Sequence, residues 1–140
     1  MRLDTRRMLH CLGVARKMKE IANTLYPDNE EFAEDMFMLG LLHDVGYEYA
    51  SCLGQHAEIA GKVLERNGYK YWKEVFYHGK PDVPYDSEPL RILNIADLHV
   101  NPDGRQTNVQ ERLADVKERY GETSSAYIDC CKLAGRLGLL

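Results

Sequence analysis

Residues 36–46, MFMLGLLHDVG, decide the fold, because an apolar helical pattern here runs directly into an imidazole and a carboxylate before a glycine. Met36, Leu39 and His43 recur at helical spacing, so His43 continues the stripe that should face the core. Asp44 follows it, and an ionised carboxylate carried inward needs a cation, strong donors or a solvent-filled cleft. The stretch therefore indicates either a metal site or an ordinary helix end with Asp44 turned to water.

Length and composition indicate one globular domain that covers residues 1–140. Apolar residues make up 44% of the chain and charged residues 29%, which is ordinary for a globular protein. The formal charge of −4 argues against a nucleic-acid-binding surface and leaves room for a small anionic substrate. No stretch has the apolar length of a signal peptide or a membrane span, so we expect a cytoplasmic protein without a membrane partner.

Apolar periodicity predicts an all-α fold, a compact bundle of about seven helices. The helices are predicted from about Asp4 to Leu25, Asp28 to Gly46, Gly54 or Gln55 to Arg66, Tyr69 to Tyr77, Ser87 to Leu98, Thr107 to Tyr120, and Ser124 to Arg136.

Capping signals mark three of the helix starts. Asp28 with Glu31, and Thr107 with Gln110, have the spacing of capping boxes. Ser87 is a favourable N-cap for the fifth helix, because its hydroxyl can accept a hydrogen bond from a free backbone N–H.

Six potential metal ligands fall at or near inward-facing positions on five separate helices. They are His10, His43, Asp44, His56, His78 and Asp97. Taken singly, His10 is typical of a hydrogen-bonded core histidine, and His78 of a helix end that favours positive charge. Taken together, nitrogen and oxygen ligands without thiolates favour one or two divalent ions, with Fe, Mn or Zn ahead of Mg, Co or Ni. Paired metals of this kind can activate water for the hydrolysis of phosphate esters.

The order of these six residues resembles the HD-domain superfamily of metal-dependent phosphohydrolases, and within it the branch with two-metal sites. The phrases at residues 41–46 (LLHDVG), 77–79 (YHG) and 95–97 (IAD) are similar to those of bacterial HD hydrolases that split diadenosine tetraphosphate. The resemblance extends from about His10 to Asp97 and implies that the whole chain is a single HD domain.

The resemblance also implies a role for each ligand. His10, His43, Asp44 and Asp97 would bind the first metal. Asp44 would bridge to a second metal held by the two remaining histidines, His56 and His78.

The sequence departs from the resemblance at Tyr47, where many relatives have a lysine that contacts phosphate. Lys80 and Arg105 are the candidate replacements, since one follows a predicted ligand by two residues and the other lies in the turn after Asp97. With Asp44 they form the predicted catalytic set. The alternative for both cations is an ordinary solvated loop position.

The leading functional hypothesis is a hydrolase that cleaves a phosphomonoester or phosphoanhydride, of a nucleotide in the first instance, with a metal-activated hydroxide. The implied partner is thus a small phosphorylated substrate and not a nucleic acid. A mixed-valent di-iron oxygenase of the same superfamily would use the same six residues, so the sequence alone leaves it open. A non-catalytic metal-binding or nucleotide-binding domain is the third hypothesis, and the oligomeric state is also open.

Overall fold

The computed structural model describes residues 5–44 and 56–140, and these form seven helices. The all-α prediction is confirmed, since one isolated bridge between Val100 and Gln106 is the sole β pairing among the described residues. The helices are α1 (Thr5–Leu25), α2 (Glu30–Leu42), α3 (His56–Arg66), α4 (Trp72–Tyr77), α5 (Glu88–Leu98), α6 (Val109–Tyr120) and α7 (Ser125–Arg136).

Two predicted caps are wrong by one residue. Asn29, and not Asp28, caps α2, because its side chain accepts from the backbone N–H of Phe32 at 3.0 Å. Asn108, and not Thr107, caps α6 in the same way, by accepting from the backbone N–H of Glu111 at 2.8 Å. Both errors arise where two good capping residues are adjacent and the backbone geometry selects the second.

One further predicted cap is confirmed, and two predicted boundaries are corrected. Ser87 caps α5 by accepting from the backbone N–H of Leu90 at 3.0 Å. Helix α4 begins at Trp72 and not at Tyr69, because the chain first turns through Gly68, whose φ is +74°. Helix α2 ends at Leu42, with His43 as its C-cap, and not near Gly46. The expected helix starts at Asp4, Gly54 and Gln55, and the predicted departure at Tyr47, lie outside the described residues.

The main core lies between α1, α2 and α5. Its fully buried side chains include Met18, Met36, Leu39 and Leu93. Gly40 permits the close packing of α1 against α2, since a Cβ atom at this position would lie 2.5 Å from the Cα of Ala15. This close contact fixes the end of α2, where His43 and Asp44 follow.

A second, smaller core joins α6 to α7 and to the end of α5. Leu98, Val109, Leu113, Leu133 and Ala134 form its buried part. The C-terminal hairpin of α6 and α7 is thus held next to α5, the helix that carries Asp97. Among the described residues, no helix is both long and apolar enough to cross a bilayer.

Candidate metal centre

The fold brings together all six side chains predicted as ligands. His10 lies within α1, His43 and Asp44 at the end of α2, His56 at the start of α3, His78 directly after α4, and Asp97 within α5. Three subsets each have ligand atoms within 4.8 Å of one another: His10 with His43 and Asp44, His43 with His78 and Asp97, and Asp44 with His56 and His78. Residues up to 87 positions apart in sequence therefore share one focus.

Asp44 is at the centre of the cluster, and its two carboxylate oxygens face different histidines. Oδ2 lies 3.4 Å from Nε2 of His43 and 3.7 Å from Nε2 of His10. Oδ1 lies 3.7 Å from Nε2 of His56 and 3.7 Å from Nε2 of His78. The carboxylate of Asp44 thus lies between two pairs of imidazoles.

Backbone carbonyls orient three of the histidine rings. Nδ1 of His43 lies 2.6 Å from the carbonyl oxygen of Gly40, and Nδ1 of His78 lies 2.6 Å from that of Val75. Nδ1 of His10 lies 3.0 Å from the carbonyl oxygen of Asn101. Since a carbonyl can only accept, each Nδ1 carries the proton and donates it. Each Nε2 therefore presents its lone pair to the cluster, as a metal ligand must.

Nε2 of His43 and Nε2 of His10 each lack a suitable neutral hydrogen-bond partner. Such atoms indicate whether a cation fits the cluster. Nε2 of His43 is fully buried and has no hydrogen-bond partner in the described part of the chain. Nε2 of His10 lies 2.9 Å from Oδ1 of Asp97, although the proton of this imidazole is already donated at Nδ1. A proton or a metal ion must compensate these contacts between lone pairs, and nitrogen and carboxylate ligands suit a divalent metal.

Electrostatics couple the buried groups strongly. Burial alone would lower the pKa of His43, but the carboxylates of Asp44 and Asp97 outweigh it and raise this pKa to about 9. Burial would raise the pKa of Asp44, but the neighbouring imidazoles of His43 and His78 hold it well below its usual range. Burial likewise acts on Asp97, and the neighbouring imidazoles of His10 and His43 hold its pKa low as well. Both carboxylates are therefore ionised at neutral pH and available to a cation.

The segment after His78 is fixed by hydrogen bonds to the neighbouring helices. The backbone N–H of Gly79 donates to Oδ1 of Asn94 in α5 at 2.8 Å. The buried carboxylate of Glu74 in α4 accepts from the hydroxyls of Tyr85 and Ser87, each at 2.7 Å. These contacts tie the α4–α5 connection to both helices and hold His78 against the cluster.

A cavity of about 680 Å³ opens onto the cluster. Its base includes five of the six predicted ligands, all but His43, which is fully buried behind them. Five cationic side chains also line it, in a chain whose formal charge is −4: Arg6, Arg7, Lys80, Arg112 and Arg119. The cavity is therefore large enough for a small organic molecule and well supplied with positive charge.

The two cations predicted for phosphate differ in position. Lys80 lines the cavity, and its Nζ also pairs with Oε1 of Glu58 at 3.1 Å. Arg105 is exposed and is not among the described residues that line the cavity. The position of Arg105 therefore does not support its predicted contact with a phosphate at the cluster.

Sequence reasoning missed four arginines of the cavity. Arg6 and Arg7 precede His10 by four and three residues, so helical spacing could have placed them on the same face of α1. Arg112 and Arg119 depend on how the C-terminal hairpin packs, for which a single sequence carries little signal.

Comparison with models of known protein families finds a match to the HD domain over residues 7–136, a range that includes all six clustered residues. Neither the search of curated proteins nor the search of solved structures finds a match.

Proposed function

Because the chain belongs to the HD domain family, whose members are in general metal-dependent phosphohydrolases, we propose that it hydrolyses a phosphomonoester or phosphoanhydride bond of a small molecule, in particular a nucleotide. The observation that supports this best is the position of Asp44, with one carboxylate oxygen towards each pair of histidines. The proposed catalytic unit is the six-residue cluster with Lys80 of the cavity.

The proposed ligand sets are those that the resemblance implies, and the distances around Asp44 are consistent with them. His10, His43, Asp44 and Asp97 would hold one divalent ion, and Asp44 would share a second with His56 and His78. Imidazole nitrogens and carboxylate oxygens suit Fe, Mn or Zn first, and Mg, Co or Ni as well. Bound there, such ions supply Lewis acidity and lower the pKa of a coordinated water.

The chain's own residues prepare this site in three ways. Carbonyl oxygens of Gly40, Val75 and Asn101 hold three imidazoles in the tautomer that binds metal. The ionised Asp44 and Asp97 would offset part of the positive charge of the ions. Cationic side chains of the cavity, Lys80 among them, are available to neutralise a phosphate group.

A substrate of nucleotide size is consistent with the cavity. Sites for drug-sized ligands have volumes of about 300–1,000 Å³, and this cavity lies within that range. A single inorganic phosphate would leave much of it filled with water. Carbon atoms, aromatic or sugar, would thus occupy the remaining space.

The test is a hydrolysis panel with protein loaded with Mn or Fe, whose metal content is confirmed by elemental analysis. We expect release of phosphate or a nucleoside phosphate from at least one nucleotide. Asp44→Asn should lower kcat by about 1,000-fold or more, since it removes the charge that both ion positions share. Asp129→Asn is the matched control, because Asp129 lines the same cavity outside the cluster. Fully loaded protein that cleaves no member of the panel would refute the proposal.

The oxygenase alternative would use the same cluster and differs from hydrolysis in its need for dioxygen. Turnover that persists under strict anaerobiosis would exclude the oxygenase.

A further inference from the structure

The C-terminal hairpin forms one side of the cavity, apart from the predicted ligands. We call this side the α6–α7 wall and define it by Arg112, Asp115, Val116 and Arg119 of α6 with Ser125 and Cys130 of α7. Positions 112, 116 and 119 follow helical spacing, so one face of α6 looks onto the cavity. The proposed hydrolysis uses none of these residues.

Arg112 is the least satisfied cation of the wall. Its side chain is only 19% exposed, and its Nε is buried with no hydrogen-bond partner among the described residues. Its nearest ion pair is long, with Nη1 at 3.6 Å from Oδ2 of Asp115. Asp115 pairs more closely with Arg119, whose Nε lies 3.1 Å from its Oδ1. One carboxylate thus serves two guanidinium groups, and Asp129 of α7 also lines this side of the cavity, so the proposal depends on the unmet donor of Arg112 and not on net charge.

A guanidinium N–H that is buried without a hydrogen-bond acceptor costs free energy, unless a ligand or a water molecule accepts from it. Arginine binds phosphate and carboxylate through two parallel hydrogen bonds, so an anionic group suits the donors of Arg112. The first turn of α7 adds Ser125 to the cavity lining, and helix N-termini favour negative charge.

The wall and the cluster line the same cavity. Burial raises the pKa of the Cys130 thiol to about 11, with Arg112 opposing the shift and Asp97 adding to it. The thiol therefore lies within electrostatic reach of both groups. Since all three residues also line one cavity, a single small molecule can lie against Asp97 and Arg112 together.

We propose that Arg112, on the α6–α7 wall, binds a second anionic group of the substrate while the first lies at the cluster, and so selects doubly anionic molecules over simple phosphomonoesters. This inference rests on the proposed function in one respect only, namely that the first anionic group is a phosphate. Arg112 is thereby a specificity-determining residue and takes no part in bond cleavage.

The test compares ligands that differ in one anionic group and resist hydrolysis. Hexylphosphonate carries one phosphonate, and butane-1,4-, hexane-1,6- and octane-1,8-bisphosphonate carry two at increasing separation. Their dissociation constants are measured by isothermal titration calorimetry with Mn-loaded, full-length protein. The variants are Arg112→Gln, Arg112→Lys and the control Lys117→Gln, which removes an exposed charge from α6 outside the cavity.

We expect at least one bisphosphonate to bind wild type and Lys117→Gln about tenfold or more tightly than hexylphosphonate, as a charge-assisted contact allows. Arg112→Gln should reduce this advantage to about threefold or less and leave hexylphosphonate binding unchanged. Arg112→Lys should retain part of it, because lysine keeps the charge and loses the planar pair of donors.

Three results would overturn the inference: no bisphosphonate advantage in wild type, an unchanged advantage in Arg112→Gln, or equal weakening of both ligand types. If Arg112→Gln does not fold, an undiminished advantage in Arg112→Lys counts against the inference in the same way. Binding needs no turnover, so the outcome is separate from the hydrolysis panel. Protein that hydrolyses nothing yet discriminates as described would refute the proposed function alone.

Discussion

Among the single residues of the cluster, His43 is the most informative about protonation and proposed metal binding. Its pKa is raised to about 9, whereas a histidine of an unfolded chain titrates near 6.5. Protonated His43 therefore stabilises the metal-free folded state fully below about pH 6.5, and this stabilisation is lost as the pH rises through about 9. The nearby carboxylates stay ionised over this window, because their pKa values are held low.

We predict that the Tm of EDTA-treated protein falls between about pH 6.5 and 9, measured by thermal denaturation followed by circular dichroism. Protein saturated with Mn should lack this fall, since a metal ligand must be deprotonated and no proton remains to be lost. The affinity for Mn should instead rise with pH over the same window. A Tm of the metal-free protein that is constant or rising there would contradict the assignment.

Residue-scale reasoning recovered the cluster because each ligand type is distinctive and each lies at an inward-facing position of a periodic helix. It did not recover Arg112 or Arg119, since arginine on an exposed-looking helix is usually solvated. Arg105 shows the reverse error, in which nearness in sequence to Asp97 was taken to indicate nearness in space. The prediction at Tyr47 remains a prediction, as this residue lies outside the described ranges.

At the scale of helices, the close approach of α1 and α2 positions the metal centre. Gly40 allows it, and the same residue supplies the carbonyl that orients His43. We predict that Gly40→Ala lowers the free energy of unfolding by about 1–3 kcal/mol, because the added methyl meets the backbone of Ala15. Chemical denaturation measures the change, and metal affinity should fall with it.

Gly135→Ala is the matched control for this prediction. Gly135 lies within α7, and a Cβ atom there would meet nothing within 4 Å. The substitution should be neutral or stabilise by up to about 1 kcal/mol, through helix propensity. Equal destabilisation by both substitutions would show that helical glycines as such, and not the α1–α2 contact, govern stability.

The helix boundaries show how accurately the local sequence predicts where a helix starts and ends. Ser87 was identified correctly although Asp86, another favourable capping residue, directly precedes it. At Asp28–Asn29 and Thr107–Asn108 two capping residues are adjacent, and the approach of the preceding chain selects one. The start of α4 was placed three residues early for a similar reason, since the backbone N–H of Tyr69 instead closes a turn on Leu64 at 3.0 Å.

For the molecule as a whole, the fold class could be predicted from periodicity, and the convergence of five helices could be predicted from their inward-facing polar residues. The shape of the cavity could not, because it depends on how the α6–α7 hairpin packs against α5 through a separate small core. The proposed substrate selection by Arg112 depends on that packing, whereas the proposed metal binding depends on the cluster.

The central claim is that the cluster around Asp44 binds divalent metal. An anomalous difference map from crystals of Mn-loaded protein tests it most directly. We predict two peaks about 3.5–4 Å apart, one bonded to Oδ2 of Asp44 with His10, His43 and Asp97, and one bonded to Oδ1 with His56 and His78. Crystals with confirmed Mn content whose anomalous peaks all lie beyond bonding distance of Asp44 would contradict the account.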